Sequence, residues 1–262
     1  MCGIVGYVGA GTAERDAKNV IVEGLRRLEY RGYDSAGVAV ANNGVIECRK
    51  KAGKVADLEA EIADNPIASS KLGIGHTRWA THGGPTDTNA HPHVVGDGRM
   101  AVVHNGIIEN FSALKAELVD KGYRFISETD TEVAGTLLLD IYDEEADGDL
   151  TRAMQLTAQR LEGAFTLLAI HADHPDRIVA ARWNSPLVIG VGEGENFLSS
   201  DVAGFIEFTR DAVEMDNGQI VTLTADGYEV CDFDGNPAEA KPFTVEWDVT
   251  AAEKGGFNSF MA

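Results

Sequence analysis

Cysteine is scarce: Cys2, Cys48 and Cys231 are the only three in 262 residues, odd in number and widely spaced. That excludes a disulfide framework, and no C-x-x-C pair offers a zinc site. A reducing, intracellular setting, the cytoplasm, is expected. Basic residues are also few, 22 against 42 acidic ones, for a formal net charge of −20. Such a chain lacks the counter-charge that a nucleic-acid backbone or an anionic lipid surface demands, so neither partner is expected. No stretch approaches the roughly 18–20 apolar residues of a membrane span. The opening MCGIVGYVGAGTAERDAKNV has no basic start followed by an apolar run, so no secretory signal is read there.

What is present suits a folded core: 44% of residues are hydrophobic and 7% aromatic, ordinary for a globular protein. The acidic residues spread along the whole chain rather than forming a tail. This predicts adaptation to high salt, where screening relieves self-repulsion, with an ordinary acidic protein as the alternative.

Short apolar strands alternate with a few amphipathic helices. Ile4–Val8 reads as a strand. Residues 13–29 read as a helix, with Ala13, Ala17, Val20, Ile21, Gly24, Leu25 and Leu28 on one face. Strands follow at 36–41, 45–50, 72–76 and 100–104, and helices at 109–121, 130–142 and 150–161. The third quarter is strand-rich, at 164–171, 177–182, 187–191 and 196–199. Asn217-Gly218 and Asp226-Gly227 predict turns joining strands at 213–215, 219–224 and 228–233 into a meander. Hairpin-like strand pairs with helices set apart predict an α+β protein of antiparallel sheets covered by helices, not a doubly wound parallel sheet. Residues after about Ala238 lose the strand pattern and read as a linker.

Cys2 is the first chemical candidate. Removal of Met1 would leave a thiol and an α-amine on one residue, and the amine titrates near neutrality. It can then serve as the general base for its own thiol. The alternative is an inert small residue. His76-Thr77-Arg78-Trp79-Ala80-Thr81-His82-Gly83-Gly84-Pro85 runs from a strand end into a polar loop. An arginine fork there suits a carboxylate, or Arg78 merely ends a strand with Trp79 in the core. In Val102-Val103-His104-Asn105-Gly106-Ile107, Asn-Gly is either a turn or a pair of donors, the Asn105 amide and the Gly106 N–H, for an oxyanion. Thr129 and Glu132 fit a capping box, with Asp130 either a first-turn acid or the partner of an ammonium group. Gly32 fits a helix C-terminal cap. Arg31 beside it is either a surface cation or a buried clamp on backbone near the terminus. His91-Pro92-His93 lacks a third ligand at metal spacing, and Gly190-Val191-Gly192-Glu193-Gly194 reads as a hairpin.

Taken jointly, these segments resemble one family. Cys2-Gly3-Ile4-Val5-Gly6 looks like the start of a class II glutamine amidotransferase, an N-terminal-nucleophile hydrolase. LRRLEYRGYDSAG, HTRWATHG, NAHPH, VVHNGIIEN and SETDTE, in that order, resemble its glucosamine-6-phosphate synthase branch (glutamine–fructose-6-phosphate aminotransferase, isomerising). So do SPLVIG, ENFLSSD and AAEKGGF. The amidophosphoribosyltransferase branch would read more like HRGQ-S-G and TRYST. The segments Tyr30-Arg31-Gly32-Tyr33 and Thr77-Arg78-Trp79-Ala80-Thr81 point away from it.

The resemblance implies a four-layer α/β/β/α sandwich of two antiparallel sheets. It implies that Cys2 is the nucleophile, with its own amine as base, and that Asn105 and Gly106 form the oxyanion hole. Arg78 would hold the α-carboxylate of L-glutamine and Asp130 its α-ammonium. Thr81 and His82 would belong to a closing loop, Trp79 would gate ammonia, and Arg31 would orient the terminal cysteine. No cofactor and no metal is implied. Residues 1–240 are expected to form the amidotransferase domain, and 241–262 a linker toward sugar-isomerase domains that take fructose 6-phosphate in a homo-oligomeric longer protein. The expected activity is hydrolysis of glutamine to glutamate and ammonia. The alternatives are an ammonia supply for another acceptor, or a non-catalytic module if Met1 is retained.

Overall fold

The computed structural model describes residues 2–10 and 15–246. From the amino end run β1 (Gly3–Gly9), α1 (Ala17–Arg27), β2 (Ser35–Asn42), β3 (Val45–Ala52), α2 (Val55–Asp64) and β4 (Leu72–Arg78). Next come β5 (His93–Val95), β6 (Met100–Ile108), α3 (Phe111–Asp120), α4 (Asp130–Glu144) and α5 (Leu150–Arg160). The remainder is β7 (Gly163–His171), β8 (His174–Trp183), β9 (Val188–Val191), β10 (Glu195–Ser199), β11 (Asp211–Glu214), β12 (Gln219–Thr224), β13 (Gly227–Asp232) and β14 (Lys241–Thr244).

The strands form two antiparallel sheets. One has eight strands in the order β14-β11-β9-β10-β1-β4-β2-β3, the other six in the order β13-β12-β8-β7-β6-β5. Alternation of side chains along each strand assigns the faces. Ile4 and Val8 of β1 point between the sheets with Ala101, Val103, Leu168 and Ile178, while Val5 and Tyr7 pack with Ile21 and Leu25 of α1. On the other sheet Met100 and Val102 face Val133, Leu137 and Leu138 of α4. Both faces of the central strands are therefore buried, which is why their sequences read as continuous apolar runs. Helices α1 and α2 cover one sheet and α3, α4 and α5 the other, a four-layer α/β/β/α sandwich.

Close approach of α1 depends on the pattern Leu72-Gly73-Ile74-Gly75. Its leucine and isoleucine fill the space between the sheets. A Cβ on Gly75 would stand 2.3 Å from Ile21 Cγ2, so only glycine lets the helix lie this near.

The expected helix at 13–29 is present as α1, capped by Asp16, whose side chain accepts from Lys18 N; Ala13 lies outside the described residues. A short 3₁₀ turn follows, and Gly32 closes it at φ 74°. Three elements escaped the sequence reading. Helix α2 buries only Val55 and Leu58, β5 has three residues, and β14 is exposed throughout and contains Pro242. Strand β14 corrects the expected linker boundary: residues 241–244 pair with β11 at the sheet edge, where proline is tolerated. Residues 247–262, including AAEKGGF, lie outside the described residues.

The predicted meander is also corrected. Only β12 and β13 form a hairpin, around Asp226. Strand β11 belongs to the other sheet, so the turn at Asn217-Gly218 carries the chain across from one sheet to the other. Sequence turn signals report a reversal, not which sheet receives the next strand. The Gly190–Gly194 segment is the expected hairpin between β9 and β10.

Candidate active site

Cys2 precedes β1, which lies inside the eight-stranded sheet between β10 and β4. The backbone after it is pinned by side chains from both neighbours. Gly3 N donates to Thr77 Oγ1 at 3.1 Å and Ile4 N to Ser200 Oγ at 3.1 Å. The sulfur accepts from Trp79 N at 3.2 Å. Burial pushes the Cys2 thiol up from its ordinary range, partly offset by that Trp79 N–H and by the Arg78 charge. The thiol form is thus favoured at neutrality, and a base must take its proton before it can attack.

Two side chains converge on the Cys2 carbonyl. Arg31 Nη1 donates to it at 3.4 Å and Asn105 Nδ2 at 3.2 Å. Arg31 also donates to Ser200 O at 3.1 Å and pairs with Asp201 at 2.8 Å. Its side chain is only 8% exposed. Of the two placements that the sequence left open for Arg31, the buried clamp on the terminal backbone is the observed one.

Asn105 and Gly106 lie within β6, paired with Thr166 and Phe165 of β7, so Asn-Gly is not a turn here. Gly106 takes φ 125°, and a Cβ on it would stand 1.9 Å from Ala164 O. No other residue fits this backbone. His76, fully buried in β4, lies with Nε2 2.8 Å from Asn105 Oδ1.

Cys2, Arg31, Trp79, Thr81, Asn105 and Gly106 line one cleft of about 690 Å³. Ile107, Ala164 and Pro186 give it an apolar side. Trp79 is 52% exposed at its rim, not a core residue. The other three expected site residues stand off the cleft lining. Arg78 is buried, and its guanidinium donates to the carbonyls of His82, Gly83 (3.2 Å) and Gly84 (3.3 Å). His82 stacks near Phe111, with ring centroids 5.0 Å apart. Asp130 is buried, and its Oδ2 accepts from Ile108 N at 2.9 Å, tying α4 to the end of β6. Thr129 caps α4 by accepting from Glu132 N, but Glu132 reaches back to Ser127 N rather than to Thr129, so the box is half formed.

Several contributors were not singled out from the sequence. Ser200 and Thr77 pin the backbone after Cys2, His76 holds Asn105, and Asp34 Oδ2 accepts from Ala80 N at 2.7 Å, holding the loop that leaves β4 after Arg78. The available signal was polar residues ending apolar strands, as in Leu72–Arg78 and Glu195–Ser199. Inside the fold the His91 ring lies tilted 4.3 Å from that of His76 and meets His93 edge-on at 5.0 Å. Among the described residues no three possible metal ligands gather. The cleft offers a thiol, amide donors and a hydroxyl, the equipment of nucleophilic attack on a carbonyl carbon.

Comparison with known proteins agrees with this chemistry. A family model described as a glutamine amidotransferase domain matches residues 63–232. The glutamine–fructose-6-phosphate aminotransferase (isomerizing) of Corynebacterium efficiens is 73% identical over the whole chain, and that of Streptomyces coelicolor 59%. The protein of the same name in Mycobacterium tuberculosis is 52% identical. The chain spans 42% of the length of each of these relatives. Among solved structures, the glutamine phosphoribosylpyrophosphate amidotransferase of B. subtilis superposes with a TM-score of 0.73 at 23% identity, over 90% of this chain and 50% of that one. An allosteric regulatory enzyme of purine biosynthesis gives 0.76 at 24% identity, with the same coverage. At these identities the structural likeness shows the shared fold. The family match extends over more than half of the sequence, and this chain belongs to the glutamine amidotransferase domain family.

Proposed function

We propose that this chain hydrolyses the side-chain amide of L-glutamine through a thioester on Cys2. The observation that carries the reading is the double hold on Cys2: Trp79 N–H on its sulfur, and Arg31 with Asn105 on its carbonyl. A nucleophile held at both ends, at the edge of a cleft, is preorganised for attack. With Met1 removed, the Cys2 amine takes the thiol proton and the thiolate adds to the amide carbon. The Asn105 amide and the Gly106 N–H receive the oxyanion. The tetrahedral species collapses, the amine returns its proton to the departing nitrogen, and ammonia leaves. Water, deprotonated by the same amine, then cleaves the γ-glutamyl thioester to release glutamate.

Arg78 is the group for the substrate carboxylate. It reaches glutamine by exchanging its present partners, the loop carbonyls at 82–84, for carboxylate oxygens, which reshapes the loop carrying Thr81 and His82. Asp130 takes the ammonium. Ammonia leaves along the Trp79 side of the cleft. The reading extends to a longer protein, in which this unit supplies ammonia for making glucosamine 6-phosphate from fructose 6-phosphate, on the strength of 73% identity to an aminotransferase of that name. The cytoplasm is the matching compartment, since a nucleophilic thiol opening onto a cleft needs a reducing medium.

Glutamate release from glutamine by the processed chain tests this directly. Cys2→Ala should abolish release and keep glutamine binding, and intact mass should show loss of Met1. Turnover by Cys2→Ala would end the proposal.

A further inference from the structure

We propose that His76 is a positioning residue that sets which way the Asn105 side-chain amide points, and so turns the amide's donor toward the cleft. This rests on the reading of Cys2 as nucleophile and Asn105 as oxyanion donor, and adds a residue to which that reading gave no part.

An asparagine amide has two faces, one donating and one accepting, related by a half-turn about its last torsion. Turned the wrong way, Asn105 would aim its oxygen at a developing negative charge. Nothing in β6 prevents this, because the backbone is the same for both orientations. The difference lies across the sandwich on β4. There the His76 ring nitrogen Nε2 stands 2.8 Å from Asn105 Oδ1, while Asn105 Nδ2 reaches Cys2 O at 3.2 Å. A hydrogen bond to Oδ1 requires a proton on Nε2, and a flipped amide would set an N–H against that N–H.

The imidazole itself is held in place. His76 has no solvent exposure, and its ring lies 4.3 Å from that of His91, which in turn lies 5.0 Å from His93. His93 Nε2 meets Thr129 Oγ1 at 2.9 Å, so the column of rings ends on the cap of α4. Burial holds His76 down to about 3, so the ring stays neutral throughout the range in which the terminal amine works. A neutral ring carries one proton, and with that proton on Nε2 the orientation of the amide is the same at every working pH.

Steady-state kinetics on the processed chain, with thermal melting of each variant, tests the inference. His76→Gln places a side-chain N–H2 near the position of Nε2 and should keep kcat within about threefold of wild type. His76→Phe keeps the ring contact but has no donor, and kcat should fall ten- to a hundredfold with KM for glutamine changed less than twofold. The γ-aldehyde analogue of glutamine, which a thiol converts to a tetrahedral adduct, should lose affinity in step with kcat, whereas glutamate should bind as before. If His76→Phe does not fold, His76→Asn, polar but too short to reach Oδ1, is expected to show the same loss. A folded His76→Phe or His76→Asn with wild-type kcat, or a parallel weakening of aldehyde and glutamate, overturns the role of His76. Absence of turnover in the wild type would instead strike the glutaminase reading itself.

Discussion

The side-chain amide of Asn105 reaches the carbonyl oxygen of Cys2 at 3.2 Å, joining β6 of one sheet to the terminus of β1 in the other. The contact spans the space between the two sheets, where packing allows little drift. In the proposed mechanism an amide so fixed would receive charge on a substrate atom attached to the neighbouring sulfur with no rearrangement at the moment of reaction. Asn105→Ala is expected to lower kcat by about 10²–10³ with a small change in KM. Glutamate release under saturating glutamine measures it, and a loss under threefold would remove Asn105 from the oxyanion site.

Arg31 ties Cys2, Ser200 and Asp201 together. Arg31→Met would leave the Asp201 carboxylate without its guanidinium. A cost of about 1–3 kcal/mol is expected, below that of a fully buried pair because the Asp201 side chain is 29% exposed. The double variant with Asp201→Asn should recover part of the melting temperature and none of the activity, since the Cys2 carbonyl remains unclamped. Recovery of both together would assign Arg31 to stability alone.

Gly106 combines φ 125° with a contact that leaves no room for a methyl group. Gly106→Ala must shift the β6–β7 backbone, and a loss of at least about 2 kcal/mol is expected from strain and overpacking. Denaturant unfolding reads this. Unchanged stability would mean that the strand relaxes freely there.

Five buried histidines give the fold a predicted sensitivity to acid. Burial holds His76 at about 3 and His171 at about 4, and pushes His91, His93 and His104 below the ordinary 6.5. Between the unfolded and folded values the unfolded chain binds more protons. Stability therefore falls as pH drops below about 6.5, by up to roughly 1.4 kcal/mol per pH unit for each histidine. For His76 the loss ends near 3, where the folded form also takes its proton. Melting followed from about pH 7 to pH 5, in about 1 M salt to screen carboxylate repulsion, should show a steady decline. A flat profile would contradict the burial of these rings.

The net charge of −20 makes a separate prediction. If self-repulsion limits stability, melting temperature should rise between about 0.1 M and 1 M salt, with most of the gain at the low end, where the Debye length shrinks fastest. Equal melting temperatures would identify an ordinary acidic protein.

Much of this architecture was legible in the sequence because local rules wrote it. The face of α1 follows from the spacing of Val20, Ile21, Gly24 and Leu25, and the β12–β13 hairpin from Asp226-Gly227. The opening segment pointed to glutamine chemistry only when read together with the later segments that resemble the family, since Cys2 by itself also read as an inert small residue. What escaped has a common cause. Helix α2 offers two buried side chains and β14 none, so neither leaves a periodic signal. The turn at Asn217-Gly218 is the same in either sheet, and only packing selects one.

For the site, the sequence by itself determined which functional groups exist and which strand or loop bears them. The tertiary structure decided which of those groups meet. Arg31 was an open choice between solvent and clamp until Ser200 and Asp201, some 170 residues away, closed around it. Asn105 read more readily as a turn until β7 paired with it, and its amide took its direction from two distant groups, the Cys2 carbonyl and the His76 ring. Local propensity acts over a few residues, whereas a hydrogen bond between two sheets depends on the distance and angle at which they pack.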